Sequence, residues 1–440
     1  MSSEGRKTGM EEGGKLALVP RLRFPEFRCT SGWEPVTLHK ASVPVTERVG
    51  ERKLTPVSIS AGIGFVPQAE KFGRDISGNQ YQLYTLVNDG DFVYNKGNSL
   101  KFPQGCVYQL QGWGQVAAPN VFICFRLKDG YSDRFFQNCF EQNLHGKHLK
   151  RHITSGARSN GLLNISKENF FGVEVPTPTF AEQQKIAECL TSLDELIAAQ
   201  ARKVDALKKH KKGLMQDLFP RKGETQPRLR FPEFKDAGKW ERTELGPRTI
   251  KVGSGITPTG GYRNYKRAGR PFIRSQNIGW AALLLEDVAY IDEETHASFN
   301  SSEIKNCDVL LNITGASIGR SAVADERIVA GNVNQHVCII RTKPDELNPF
   351  FLNQYIISKR GQDQIDSFQA GGNRQGLNFA QVKSLAIPLP PTIDEQQRIA
   401  SCLTRLDTLT VAEIRKLEAL KRHKRSLMQQ LFPSPTEAER

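Results

Sequence analysis

Two long stretches of the chain, 179–219 and 392–432, carry apolar residues at alternating steps of four and three. This is the heptad spacing of a coiled coil, in which an apolar seam packs against a partner helix. Polar residues interrupt the seam at equivalent positions of the two stretches, Gln200 and Lys211 in the first and Glu413 and Lys424 in the second. The apolar seam residues are Ile186, Leu190, Leu193, Ile197, Val204, Leu207, Leu214 and Leu218, and then Ile399, Leu403, Leu406, Leu417, Leu420, Leu427 and Leu431.

The two stretches are copies of one another. Residues 179–220 align with 392–433 at a constant offset of 213, and 26 of 42 positions are identical. Each copy opens with Thr-x-x-Glu, the spacing of a capping box in which the two side chains satisfy each other's backbone amides. Each closes with Leu-Phe-Pro, where proline cannot continue a helix. An octapeptide, Pro-Arg-Leu-Arg-Phe-Pro-Glu-Phe, also occurs twice, at 20–27 and 227–234, so the chain contains an internal repeat.

Charge along the two copies predicts how the helices pair. The first half of copy one is acidic and the second half of copy two is basic. The residues concerned are Glu182, Glu188, Asp194 and Glu195, and then Lys421, Arg422, Lys424 and Arg425. Antiparallel packing places these opposite charges side by side, so we predict an antiparallel coiled coil.

The segments between the helices have the turn-rich, β-branched character of mixed α and β domains. They scarcely resemble each other, except that Asp91 and Asn95 match Asp308 and Asn312, at a buried strand that leads into a polar loop. We therefore predict an α+β fold with a pseudo-two-fold internal repeat, in which two mixed α/β domains are separated by two long helices that pair as an antiparallel coiled coil. The predicted boundaries are a disordered tail at 1–19, a first domain at 20–178, the first repeat helix at 179–219, a linker at 220–227, a second domain at 228–391, the second repeat helix at 392–432 and a tail at 433–440.

The amino-acid composition indicates what kind of partner the protein binds and in which cellular compartment it is expected. With 61 Lys and Arg against 47 Asp and Glu, the net charge of +14 favours an anionic partner such as nucleic acid, although a basic surface without such a partner gives the same count. The eight cysteines show neither a Cys-x-x-Cys pair nor zinc-finger spacing, which indicates reduced cytosolic thiols. Neither a run of about eighteen apolar residues nor a secretory signal is evident, so we expect a cytoplasmic protein.

Several loops have the chemistry needed to contact DNA, because Arg pairs with guanine, Asn and Gln pair with adenine, and basic residues neutralise phosphates. Two of these loops follow the predicted strands at 91–95 and 308–312. Two others, 156–160 and 371–375, precede predicted helices, and a fifth is 274–277. Such residues also cap turns or solvate a surface, and for any single one both interpretations stay open. The residues that we expect to contact DNA are Lys96, Asn98, Ser99, Lys101, Lys150, Arg151, Arg158, Asn160, Arg263, Arg274, Ser275, Asn277, Thr314, Ser317, Arg320, Asn334, Gln335, Asn373, Arg374 and Gln375.

Three patterns that could indicate catalysis or metal binding are better explained otherwise. Asn-Pro-Phe-Phe at 348–351 lacks the second proline of an adenine methyltransferase loop and reads as the start of a helix. The glycine-rich segment 253–260 lacks the Lys-Ser or Lys-Thr of a nucleotide-binding loop. His145, His148 and His152 could share a helix face, but no Cys or acidic ligand clusters with them, so a cationic face is favoured over a metal site. We predict no catalytic residue and no metal in this chain.

Taken together, these motifs resemble the specificity subunits of type I restriction–modification systems. The resemblance rests on Glu-Gln-Gln-x-Ile-Ala at the start of both helices, Leu-Met-Gln-x-Leu-Phe-Pro at their ends, and the proline-rich entries at 175–178 and 388–391. It covers nearly the whole chain. It implies a non-catalytic DNA-binding subunit whose two target recognition domains each read one half of a bipartite, asymmetric target in double-stranded DNA.

The same resemblance implies the partners and their cofactors. The paired helices would set the gap between the half-sites and dock two modification subunits, which bind S-adenosylmethionine and methylate adenine at N6. Restriction subunits, which use ATP and Mg, would translocate and cut unmodified foreign DNA, while this chain itself binds no cofactor. Two alternatives stay open at this point: an enzyme that modifies DNA alone, and a non-catalytic coiled-coil scaffold or regulator.

Overall fold

The computed structural model describes residues 18–97, 102–153, 163–258, 261, 265–369 and 376–433. The chain divides into two compact units. One unit combines Met1–Ala199 with Glu418–Arg440, and the other is Gln200–Leu417. The division passes through both long helices, so each unit holds one domain together with a segment of each helix. Of the predicted tails, 1–17 and 434–440 lie outside the described residues, while Leu18 already accepts a backbone hydrogen bond from Trp33.

The described residues of the first unit form three sheets. Its strands are β1 (Glu34–Thr37), β2 (Ser42–Pro44), β3 (Thr55–Ser60), β4 (Gly64–Pro67), β5 (Thr85–Asn88), β6 (Phe92–Asn95), β7 (Cys106–Gln109), β8 (Gln115–Ala118), β9 (Ile123–Leu127) and β10 (Glu174–Thr177). Two sheets are four-stranded, in the orders β2-β9-β6-β7 and β4-β3-β8-β5, and the third pairs β1 with β10. The short helices are α1 (Leu38–Ala41), α2 (Gln68–Phe72), α3 (Asp133–Glu141), α4 (Leu144–Lys150) and α5 (Lys167–Phe171).

The second unit repeats this plan in outline. Its strands are β11 (Glu241–Glu244), β12 (Thr249–Ser254), β13 (Arg270–Ile273), β14 (Ala289–Ile291), β15 (Val309–Asn312), β16 (Ser321–Val323), β17 (Asn332–Val333), β18 (Val337–Thr342) and β19 (Ala386–Leu389). The sheet orders are β12-β18-β15-β16, β14-β13-β17 and β11-β19. The long helices α6 (Phe180–Leu218) and α11 (Ile393–Leu431) each contribute a segment to both units. The other helices of the second unit are α7 (Glu293–Ser298), α8 (Pro349–Ile357), α9 (Lys359–Gln369) and α10 (Phe379–Lys383).

The strands that follow the matched residues Asp91 and Asp308 occupy the same position in the sheets of the two units. β6 lies between β9 and β7, as β15 lies between β18 and β16. The aspartate before each strand is buried and bound by an arginine of the neighbouring strand, Asp91 by Arg126 at 2.6 Å and Asp308 by Arg341 at 2.8 Å. Parallel pairing recurs as well, since β3 pairs with β8 and β13 with β17. Two sequences that scarcely align therefore share the strand order of one four-stranded sheet and a parallel strand pair in a second sheet.

The long helices pair antiparallel within each unit, as predicted. In the first unit Lys424 binds Asp194 at 2.6 Å, and in the second Lys211 binds Asp407 at 2.6 Å. These two ion pairs occupy equivalent positions of the repeat. The predicted seam residues are all buried or half-buried, and the interrupting Gln200 donates to the backbone and the carboxylate of Glu413.

The repeated Glu of each helix does not complete the predicted capping box. The Thr half is present, since Thr179 accepts from the amide of Glu182 at 3.5 Å and Thr392 from that of Glu395 at 3.3 Å. The carboxylate of Glu182, however, is fully buried and accepts from Arg23 and Trp33. The hydrogen bond from a buried, charged guanidinium to this carboxylate is stronger than the hydrogen bond from a neutral helix amide.

The same buried contact occurs in the second unit. Glu395 accepts from Arg230 at 2.7 Å and from Trp240 at 3.1 Å. Each octapeptide therefore supplies an arginine that ties the start of its domain to the start of a long helix. We call these two contacts, Arg23–Glu182–Trp33 and Arg230–Glu395–Trp240, the entry clamps.

The glutamine after each clamp glutamate connects the long helix to a second element of the domain. Gln183 accepts from the amide of Ser132, the N-cap of α3, at 2.9 Å. Gln396 accepts from the amide of Asn348, the N-cap of α8, at 2.8 Å. The repeated Glu-Gln thus anchors each domain at two points, and α3 and α8 are equivalent helices.

Candidate nucleic-acid interface

The loop after β15 in the second unit is built on the buried strand end. Asn312 is fully buried, and its amide nitrogen donates to the Ser275 carbonyl at 2.8 Å. The amide of Gly319 donates back to the Asn312 carbonyl at 3.0 Å, which closes the loop. The loop that begins at Ser275 and the loop 313–320 are therefore held together at the edge of one sheet.

This loop also lies beside the segment that precedes α10. Thr314 forms a backbone bridge with Gly376, and the amide of Leu377 donates to the Ile313 carbonyl at 2.8 Å. In the first unit the amide of Leu163 donates to the Lys96 carbonyl at 2.9 Å, the equivalent contact. In each unit, therefore, the residue that follows the strand end is hydrogen-bonded to a residue that shortly precedes the next helix.

A polar cluster that the sequence did not reveal as a set occupies this place in the second unit. His336 Nδ1 lies 2.6 Å from the Thr314 hydroxyl, and its Nε2 lies 3.1 Å from the amide nitrogen of exposed Gln335. The Thr257 hydroxyl donates to the Gln335 side-chain oxygen. We call Thr257, Thr314, Gln335 and His336 the polar cluster. Thr314 and Gln335 were predicted, whereas Thr257 and His336 were not. The contact between Thr257 and Gln335 depends on strands β12 and β18 lying side by side, which the sequence does not reveal.

Two predicted base-reading residues are used inside the fold instead. Asn277 is 1% exposed, and its amide donates to the carbonyls of Leu284 and Asp287 while its oxygen accepts from the amide of Arg274. Asn334 is buried, and its oxygen accepts from the amide of His336. Both amides shape loops, so the expectation that they contact bases is corrected.

Arg274 is half-buried rather than free. Its guanidinium reaches Asp287 at 3.5 Å and lies 5.3 Å from the ring centre of Tyr265. These contacts compete with any pairing to guanine, which requires the outer nitrogens. Ser275, Ser317 and Arg320 are half-exposed in the same group of loops.

In the first unit the predicted contacts fall on a loop and a helix. Lys96 follows β6 and is half-exposed, while Lys150 and Arg151 are exposed at the end of α4. Nine predicted contacts lie outside the described residues: Asn98, Ser99, Lys101, Arg158, Asn160, Arg263, Asn373, Arg374 and Gln375.

The predicted cationic histidine face is wrong for His145. This residue is buried against the rings of Tyr94 and Phe140, and burial lowers its pKa to about 4. His148 is half-buried, its pKa is lowered chiefly by burial, and it lies 3.8 Å from Glu174. His145 is therefore a neutral core residue.

The other patterns that could suggest chemistry have local structural explanations. Asn348 caps α8, with its side-chain oxygen accepting from the amides of Phe350 and Phe351, so this motif starts a helix as predicted. Gly255 lies so close to the Val333 carbonyl that an added Cβ would stand 1.7 Å from its oxygen. Within the described residues, no group of three or more His, Cys, Asp or Glu could hold a metal. Burial raises the pKa of Cys124 and of Cys338 to about 12, which keeps these thiols protonated.

No helix among the described residues is long and apolar enough to cross a membrane.

The two units, each clamped to the start of a long paired helix, define a class of protein built from an internal repeat of domain and helix. The family model of the type I restriction modification DNA specificity domain matches residues 86–209 and 261–422, and the chain belongs to this family. It is a type I restriction–modification specificity subunit.

Two curated relatives come from Methanocaldococcus jannaschii. The chain is 22% identical over 284 residues to the type I restriction enzyme MjaVIII specificity subunit, a match that covers 64% of this chain and 66% of the relative. It is 24% identical over 288 residues to the putative type I restriction enzyme MjaX specificity subunit, covering 65% and 64%. The match thus spans just under two thirds of the length of these relatives.

Solved structures are similar in fold. The S subunit of a type I restriction–modification system from M. genitalium has a TM-score of 0.59 at 13% identity, with 95% of this chain and 100% of that chain covered. A chain from a study of complex assembly and conformational transition of the type I R-M system has a TM-score of 0.53 at 17% identity, covering 92% and 98%.

Proposed function

We propose that this chain reads a bipartite, asymmetric DNA target, each unit recognising one half-site, while the paired helices set the gap between them. The observation that carries the proposal is an equivalent backbone contact in both units, between the residue after the strand end and a residue shortly before the next helix, Lys96 with Leu163 and Ile313 with Leu377. Similar frames with different loop residues predict two half-sites of unlike sequence.

Base reading in the second unit is assigned to the polar cluster. Gln335 is exposed, its side-chain nitrogen lies 3.1 Å from His336 Nε2, and the His336 ring is in turn held by the Thr314 hydroxyl at 2.6 Å. A side-chain amide held in this way suits paired hydrogen bonds to adenine. The basic residues Lys150 and Arg151 are assigned to phosphates, which position a protein on DNA without reading sequence.

The helices are also assigned to docking two modification subunits that carry S-adenosylmethionine. Leu196 and Leu409 occupy equivalent repeat positions and are 48% and 42% exposed. They remain exposed although the two helices already pack against each other through their seam residues. Exposed leucines at repeated positions suit a pair of identical partners. The catalytic chemistry would belong to those partners and to restriction subunits that use ATP and Mg, in the cytoplasm, where the DNA lies.

Selection from a random-sequence DNA library tests the proposal. The full-length chain should enrich two unlike half-sites at a constant gap, whereas an incidental coiled-coil scaffold would enrich nothing. Labelled S-adenosylmethionine added with DNA separates the remaining alternative, because methyl transfer by the purified chain alone would make it an enzyme.

A point variant then assigns one half-site. Gln335→Ala should relax preference at one position of one half-site by about 1–3 kcal/mol and leave the other half-site unchanged. Lys150→Ala is the contrasting variant and should weaken all sequences alike. Equal loss in both half-sites with Gln335→Ala would remove this residue from base reading.

A further inference from the structure

A cleft of about 1060 Å³ lies within the second unit, lined by the C-terminal half of α6 and by α9. Its apolar lining includes Met215, Phe219 and Ile357. Trp280, which is 54% exposed, lines it from the loop after Ser275. This exposed ring offers an apolar surface against which a ligand in the cleft could pack.

The cleft carries an excess of positive charge. Its cations are Lys208, Lys211, Lys212, Arg221, Lys222, Lys359 and Arg360. Its two carboxylates are already paired, Asp407 with Lys211 at 2.6 Å and Asp363 with Lys359 at 2.8 Å. Lys208, Lys212 and Lys222 have no ion pair within the described part of the chain. Several cations that converge without counter-charges favour an anionic ligand.

The cleft borders the loops assigned to base reading. Gln362, which lines it, donates to the Gly319 carbonyl at 3.0 Å. The amide of Ala281, next to Trp280, donates to the Ser321 carbonyl at 2.9 Å. The two sides of the cleft are therefore hydrogen-bonded to Gly319 and Ser321, the neighbours of Arg320, at the end of the loop that carries Thr314.

The repeat offers an internal comparison. In the first unit Lys421 and Arg425 occupy the positions of Lys208 and Lys212, and Lys421 forms an ion pair with Glu418 of its own helix at 3.1 Å. There, however, Glu141 at the end of α3 lies 4.0 Å from Lys424, and Gln142 contacts the sulfur of buried Met428. The equivalent helix α8 ends with Ile357 and Ser358, which bring neither an acid nor a long amide. In the first unit α3 thus brings an acidic side chain to this helix segment, whereas α8, which contains no acidic residue, brings none in the second.

We propose that this cleft binds backbone phosphates of the DNA duplex adjoining the half-site read by the second unit, with Trp280 packed against the sugars. The inference rests on the proposed function and extends it to a contact that carries no sequence information. Cations that neutralise phosphates release counterions, so the contact adds affinity that falls steeply with salt. An acidic segment of a partner protein would suit the same charges, and the experiment distinguishes it.

The test uses the full-length chain and two charge-matched double variants, Lys208→Gln with Lys212→Gln, and Lys421→Gln with Arg425→Gln. Affinity is measured between about 50 and 200 mM salt on a duplex with the selected split site and on a random duplex of equal length. For the first variant the slope of log affinity against log salt should become shallower by about 1.8 on both duplexes, because each neutralised phosphate contributes ~0.9 and two cations are removed. The ratio of specific to random binding and the slope of the second variant should not change.

Trp280→Ala keeps the proposal testable if the lysine variant folds poorly, and it should weaken both duplexes several-fold without altering the slope. Unchanged affinity and slope in the first variant would overturn the cleft as a phosphate site, as would an equal loss in the second variant. Unchanged DNA binding with loss of a partner subunit from the assembled complex would assign the cleft to protein instead. Failure of the wild-type chain to prefer any split site would overturn the proposed function as well, whereas the other outcomes leave it intact.

Discussion

Arg23 and Glu182 belong to two separate sequence motifs, 159 residues apart, and meet as a buried ion pair at 2.6 Å. Trp33 donates to the same carboxylate, and the guanidinium also donates to the carbonyls of Thr30 and Ser31. Nearly every polar atom of the contact is therefore satisfied, as burial of two charges requires. The arginine at the fourth position of the repeated octapeptide makes this contact in both units.

Removing the charge from one clamp should destabilise only its own unit. Glu182→Gln leaves Arg23 buried without its counter-charge and should lower the opening free energy of first-unit amides by about 3–5 kcal/mol, measured by hydrogen exchange. Glu395→Gln is the matched variant and should act in the same way on the second unit. A loss below about 1 kcal/mol in both variants would mean that the clamps do not hold the domains.

His145 makes the stability of the first unit dependent on pH. Its pKa is lowered to about 4 by burial, so below about pH 6.5 the unfolded chain binds a proton that the folded chain does not. This contribution is complete above pH 6.5 and is lost as the pH falls towards 4. Between pH 7.5 and 5 the loss should be about 2 kcal/mol, measured by urea unfolding. His145→Leu should remove this part of the pH dependence, and an identical profile in the variant would contradict the assignment.

At the scale of elements, the paired helices are held by an apolar seam with polar contacts at repeated positions. Lys211–Asp407 and Lys424–Asp194 are equivalent ion pairs, but Asp407 is less exposed than Asp194 and also accepts from Gln354 at 2.8 Å. Interaction between charges grows as solvent is excluded, so the two pairs should differ in strength.

Double-mutant cycles should measure this difference. Alanine substitutions at Lys211 and Asp407 should give a coupling energy of about 1–2 kcal/mol, against about 0.2–1 kcal/mol for Lys424 and Asp194. Unfolding free energies of the single and double variants supply both values. Equal couplings would mean that burial of Asp407 does not strengthen its pair.

At the scale of the whole molecule, we expect the length of the paired helices to set the number of base pairs between the two half-sites. Insertion of four residues between Gln200 and Val204 adds about one helical turn and nearly preserves the seam. The selected target should then show a longer gap with both half-sites unchanged. A scrambled insertion of the same length is the control for composition, and an unchanged gap would show that spacing is set elsewhere.

The sequence alone predicted the repeat, the helices within one residue at each end, their antiparallel pairing and the family. It could do so because heptad periodicity, end signals and charge order are local properties that repeat within one chain. It misjudged Asn277, Asn334 and His145, because a polar residue that serves the fold has the same one-dimensional pattern as one that serves a ligand.

Only the tertiary structure decided where the repeated motifs meet and which polar groups remain available. The entry clamps join residues far apart in sequence, the polar cluster forms because β12 and β18 are neighbours, and the basic cleft depends on what α8 and α9 bring to α6. Periodicity determines which face of an element is buried. The choice of what it is buried against depends on long-range packing, which a single sequence does not encode in any local pattern.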